Sequence, residues 1–80
     1  MKEKRKVYRL RWNKTNSLWM LVRPNKTVQF EVRGETKVQF IGFCRFEARN
    51  DQPSQLVVYG KNGRIQFENT YGADPRRSKG

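Results

Sequence analysis

Histidine is absent from this 80-residue chain, and acids are few: seven Asp and Glu against eighteen Lys and Arg, a net charge of +11. Without histidine, neither the commonest general base nor a Ser-His or Cys-His pair can be assembled. The single cysteine, Cys44, excludes an intramolecular disulfide, and one Cys without His excludes an ordinary structural zinc site. A lone thiol fits a reducing compartment. The acids are dispersed, and no D-x-D or paired-carboxylate motif stands ready for Mg²⁺. Long apolar runs are missing as well. The longest, Leu18–Val22, has five residues against the roughly 20 that span a bilayer. The basic opening MKEKRKVYRLRW is not followed by the apolar segment of a signal peptide. These absences predict a soluble, cytoplasmic, non-enzymatic protein with no cofactor, no metal and no membrane attachment.

What is present supports one small domain. Hydrophobic residues make up 35% and aromatics 12%, too apolar for a wholly disordered chain. A chain of this size buries only about 60–65% of its unfolded surface, so its core is modest. The charge is uneven. Residues 1–26 hold Lys2, Lys4, Arg5, Lys6, Arg9, Arg11, Lys14, Arg23 and Lys26 against Glu3 alone, and Arg76-Arg77-Ser78-Lys79 forms a second basic cluster. Such a field concentrates polyanions and speeds their association, although the same charge also serves plain solubility.

Lys6–Trp12 alternates as a half-buried strand does, with Tyr8, Leu10 and Trp12 on one side and Val7, Arg9 and Arg11 on the other. Asn13–Asn16 is turn-prone. Ser17–Arg23 reads as a second strand with two apolar faces: Trp19 and Leu21 on one, Leu18, Met20 and Val22 on the other. That surplus requires cover from the carboxy-terminal tail or from a second copy of the protein. Pro24 breaks the run, and Thr27–Val32 restarts the alternation with Val28, Phe30 and Val32 on one side.

Over residues 36–49 two readings compete. Thr36-Lys37-Val38-Gln39 fits a capping box, and Phe40, Ile41, Cys44 and Ala48 make a helical stripe, with Phe43 at its edge and Phe46 outside it. Propensity favours a strand, because Val38, Phe40, Ile41, Phe43 and Phe46 are strand formers and Gly42 is a poor helix interior. Asn50–Ser54 is loop. Gln55–Tyr59 and Arg64–Glu68 then flank Lys61-Asn62-Gly63, the strongest short hairpin signal. Gly60–Arg64 resembles a phosphate-cradling loop but lacks the spacing and the following helix of one.

The two fold expectations are an α+β domain, β-β-β-α-β-β, with one helix on one face of a small antiparallel sheet, and a small all-β barrel. The organisation expected is a basic arm at 1–5, a single domain over 6–70 and a basic tail, ordered or flexible, over 71–80. Asp74-Pro75 reads as turn architecture, with Tyr71 holding the tail on the sheet.

Trp19, Thr36-Lys37, Arg45, Ala48-Arg49-Asn50, Leu56, Asn62-Gly63-Arg64-Ile65, Tyr71-Gly72-x-Asp74-Pro75 and Lys79-Gly80 form a pattern that resembles a small bacterial, plasmid and phage family, domain-of-unknown-function family 2188. The resemblance covers residues 19–80 and is most specific over 54–80. It implies a helix at 36–49 and carries no activity with it. Departures from the family are Gln39 in place of an acid, Phe40 in place of Ala, a bulkier helix with Gly42, Phe43 and Phe46, and the added bases Arg76 and Arg77.

Two functional expectations follow. The first is nucleic-acid binding, DNA or RNA, through phosphate contacts from Arg5, Lys6, Arg9, Arg11, Lys14, Arg23, Lys61, Arg64, Arg76 and Arg77. Tyr8, Trp12 or Trp19 would add stacking wherever they are exposed, although core packing suits Trp19 better. The second is a mobile-element interaction protein that modulates a protein or nucleoprotein partner through Met20, Phe43 and Phe46, with a homodimer as a further way to cover the same residues.

Overall fold

A computed structural model describes residues 5–72 of the chain. The alternating amino-terminal segment forms β1, Lys6–Asn13, with Tyr8 and Leu10 buried and Arg9 and Arg11 exposed. Asn13 Oδ1 accepts the Asn16 N–H at 2.8 Å and closes the turn into β2, Leu18–Val22. The two strands are antiparallel, with Trp12 opposite Trp19 and Leu10 opposite Leu21. After a turn in which Asn25 Oδ1 accepts the Thr27 N–H at 3.0 Å, β3 runs only over Val28–Phe30.

That strand is shorter than its alternation predicts, and Glu31 explains the difference. The Glu31 N–H donates to the Trp19 carbonyl at 3.0 Å, but the Trp19 N–H donates to Glu31 Oε2 at 2.8 Å. A carboxylate therefore takes the place of a main-chain carbonyl and the ladder ends. Val32, beyond it, is 71% exposed.

Residues 37–49 are helical. Helix α1, Lys37–Arg49, begins at Thr36, whose hydroxyl accepts the Gln39 N–H while the Gln39 side chain accepts the Thr36 N–H, the reciprocal pair expected of the capping box. Local capping and the burial of Phe40, Cys44 and Ala48 outweigh the strand propensity of the phenylalanines. The small Cys44 and Ala48 let the helix approach the sheet closely. Ser54, fully buried, donates its hydroxyl to the Ala48 carbonyl, which also accepts the Asp51 N–H, and so ties the start of the next strand to the helix end.

β4, Ser54–Tyr59, and β5, Ile65–Tyr71, form the hairpin around Asn62-Gly63, where Gly63 takes φ +84° and the Asn62 side chain accepts the Arg64 N–H. The five strands lie in the order β3-β2-β1-β4-β5 and do not close into a barrel. One expectation is corrected: the sheet is mixed, because β1 and β4 pair in parallel, Lys6 with Ser54 through Leu10 with Val58. Three strands joined by tight turns leave the chain at the far end of the sheet. The helix, about 20 Å long at 1.5 Å per residue, carries it back, so β4 starts level with β1.

The core lies between helix and sheet. Tyr8, Leu10, Trp19, Leu21, Leu56 and Val58 meet Phe40, Cys44 and Ala48, with Trp12, Ile41, Phe43, Phe67 and Tyr71 around them. Burying a residue the size of Leu10 or Leu21 contributes about 1.5–3 kcal/mol each. Beyond this layer, no helix among the described residues covers the other side of the sheet.

Candidate nucleic-acid interface

Because Tyr8 and Leu10 point at the helix, the residues that alternate with them, Arg9 and Arg11, project from the opposite side of the sheet. Strand register extends that face in both directions. Across from Arg11 stand Met20 of β2 and, opposite Met20, Phe30 of β3. On the other flank the Arg11 guanidinium sits 4.7 Å from the centre of the Tyr59 ring, and Tyr59 pairs with Ile65. A second row runs Val28, Val22, Arg9, Val57, Glu68. Val57 is only 7% exposed yet stands outside the core cluster, so the side chains flanking it close over it on this bare face. Two arginines thus lie in the middle of an apolar, partly aromatic surface.

The parallel pairing of β1 with β4 has a second effect. Strands that run the same way end at the same edge, so the turn after β1 and the turn after β4 are neighbours. Lys14 therefore shares an end of the molecule with Lys61 and Arg64. The Lys61 ammonium lies 4.4 Å above the Trp12 ring, and Trp12 meets Trp19 edge-on at 5.0 Å. Lys37, at the start of the helix, lies 4.1 Å above Trp19 and donates to the Tyr59 carbonyl at 3.1 Å and to Gln66 Oε1 at 2.5 Å. Burial holds the Lys37 pKa below the usual lysine value, and the nearby charge of Lys61 lowers it further. This end gathers positive charge, and its rings are already occupied by cations.

The remaining residues expected to contact phosphate have other partners. Arg5 donates to the Tyr71 and Gly72 carbonyls at 2.9 and 2.8 Å and ties the two termini of the described domain together. Gly72 accepts this geometry only as glycine: its φ is +83°, and a Cβ there would lie 3.1 Å from the Pro53 backbone. Lys6 pairs with Asp51 at 2.9 Å and Arg23 with Glu47 at 3.1 Å. Asp51 also accepts the Tyr8 hydroxyl at 2.7 Å. The Tyr8 bond, and then the Lys6 bond, hold its carboxyl below the usual carboxylate range. Burial, with that same hydrogen bond, pushes the Tyr8 hydroxyl up to about 12. Among the described residues, neither Arg9 nor Arg11 has a carboxylate within ion-pair distance. Arg76 and Arg77, with Asp74-Pro75, lie outside the described residues.

Tyr8 and Trp19 are buried, which removes them as stacking platforms, and Trp12 lies beneath Lys61. Phe30 and Tyr59, both half-buried, are the rings that share the face of Arg9 and Arg11, and Tyr59 holds the Arg11 guanidinium over its ring as Trp12 holds Lys61. Their signal was the alternation of β3 and β4, readable only once both strands were known to share a face with Arg9 and Arg11. Met20, Phe43 and Phe46 do not form one surface. Met20 belongs to the uncovered sheet face, whereas Phe43 packs against the core from the helix and Phe46 is 55% exposed on the helix's outer side. Cys44 is fully buried, and burial pushes its thiol up to about 12, where it is inert as a nucleophile. No group of three or more metal-ligating side chains converges among the described residues, and none of their helices is long and apolar enough to cross a membrane.

No family model matches this chain, and neither the curated proteins nor the solved structures yield a match. Kinship with family 2188 therefore stands as a proposal on the motifs of residues 19–80, most specific over 54–80.

Proposed function

We propose that this is a cytoplasmic, non-enzymatic nucleic-acid-binding protein that contacts phosphates through Arg9, Arg11, Lys14, Lys61 and Arg64. The observation that carries this reading is the parallel alignment of β1 with β4, which brings the basic residues of β1 and its following turn to the same end of the sheet as those of the distant β4–β5 turn. Arg5, Lys6 and Arg23 serve the fold and drop out of the contact set. Of the described acids, Glu47 and Asp51 pair on the helix side, whereas Glu68 stands on the bare face beside Val57 and accepts from Gln55.

Phosphate contacts release counterions, so affinity depends steeply on salt. With about four phosphates neutralised, affinity falls by about a hundredfold between roughly 50 and 200 mM salt. Arg9→Glu combined with Arg11→Glu abolishes binding while the circular-dichroism spectrum stays unchanged, because both side chains are exposed. Absence of binding to any DNA or RNA at low salt overturns the reading. A partner protein would then take precedence, with the exposed Phe46 as its first contact.

A further inference from the structure

We propose that the nucleic acid is a single strand, laid across the uncovered sheet face with its bases against Tyr59 and Phe30 and its phosphates on Arg9 and Arg11. This rests on the nucleic-acid reading above and specifies its ligand. A β-sheet with one bare face has to cover apolar surface, and here that surface comprises Val22, Val28, Met20 and Phe30 on one flank and Tyr59 on the other. A duplex hides its base planes and offers phosphates and groove edges, so it would leave these side chains in water. A single strand offers both charge and flat apolar rings, the two chemistries this face presents side by side. Phe30 and Tyr59 stand three strands apart, about 14 Å at the usual strand spacing, with the arginines between them.

Charge complementarity selects this occupant over a second copy of the chain. Two such faces stacked about a two-fold axis set Arg9 and Arg11 against their own equivalents, and among the described residues each face has only Glu68 in return, already accepting from Gln55. Phosphate groups meet the same guanidiniums with attraction. The contacts fall on phosphates and base planes, which DNA and RNA share, so the sugar is not read.

The test uses the full chain, freed of nuclease and bound nucleic acid, with labelled dT15, U15 and a 15-base-pair duplex in fluorescence anisotropy at two salt concentrations. The expected result is that both single strands bind about tenfold or more tighter than the duplex, and that dT15 and U15 agree to within about threefold. Tyr59→Leu and Phe30→Leu each weaken single-strand binding by about fivefold or more, with the salt slope and the duplex affinity unchanged. Tyr59→Phe, which keeps the ring, binds as the parent does, and this separates stacking from any effect on folding. Duplex binding as tight as single-strand binding, or leucine variants that bind dT15 normally, overturns the single-strand inference and leaves the nucleic-acid reading in place. No binding of any probe at low salt overturns both.

Discussion

The two faces of the sheet are made by the same strands, yet they treat charge in opposite ways. On the helix side, three cations at the rim have partners: Lys6 with Asp51, Arg23 with Glu47, and Lys37 with Gln66 and the Tyr59 carbonyl. On the bare side, Arg9 and Arg11 stand at the centre, and among the described residues no carboxylate pairs with them. The covered face follows the logic of stability, in which a charge near apolar surface is paired or kept peripheral. The bare face departs from it. A small domain with little stability in reserve keeps two guanidiniums where aliphatic residues would pack better, which directs attention to an anionic partner.

The contrast breaks most visibly at the core. Leu10→Ala removes a fully buried side chain beneath the helix and lowers unfolding free energy by about 3 kcal/mol in a denaturant titration. Met20→Ser, on the bare side, stays within about 1 kcal/mol of the parent. Similar losses at the two sites would mean that the bare face is a second core.

Tyr8→Phe tests the pairing at the rim. Deleting the hydroxyl removes its bond to Asp51, for about 1 kcal/mol at neutral pH. It also changes the pH dependence. The folded state keeps the Tyr8 proton to about 12, whereas the unfolded chain loses it near 10, so the parent loses stability as pH rises between those values. Tyr8→Phe loses less over that window, and Cys44, raised from 9.0 to about 12 in the same sense, accounts for a decline that begins earlier. At the acid end, the lowered Asp51 pKa gives stability that is present above the ordinary carboxylate range and is lost as pH falls through the folded value. The Asp51 carboxylate is 39% exposed, so this arm is small. Thermal melts across pH read both arms.

The smallest expected effect is a gain. Gly42 is exposed in the helix interior, and a Cβ there meets nothing within 4 Å. Gly42→Ala raises stability by about 0.8–1 kcal/mol, and because the helix lies on the opposite face, binding of dT15 stays unchanged. A loss of binding would mean that the helix contributes to the site.

What could be read in the sequence was the chemistry written over a few neighbouring residues. Thr36 and Gln39 announced the start of the helix, Asn62-Gly63 announced the hairpin, and the alternation from Tyr8 to Trp12 announced a half-buried strand. The rest depends on encounters between distant segments. Nothing near Arg23 foretells Glu47, and nothing near Lys6 foretells Asp51, so the sequence could not separate cations held by the fold from those left available. The parallel partnership of β1 and β4 is of the same kind: a hairpin signals itself through its turn, whereas strands separated by a helix share no local signature. The membership of Tyr59 in the same surface as Arg11 was hidden with it.

Cys44 has a practical consequence of a different sort. It is the chain's only thiol, it is fully buried beneath the helix, and its proton is held tightly. A thiol reagent in excess can reach it only when the helix lifts or the whole domain opens, so the labelling rate counts those openings in plain buffer. The protein thus carries an internal clock for its own breathing. Any ligand that clamps the sheet will slow that clock in proportion to how tightly it binds.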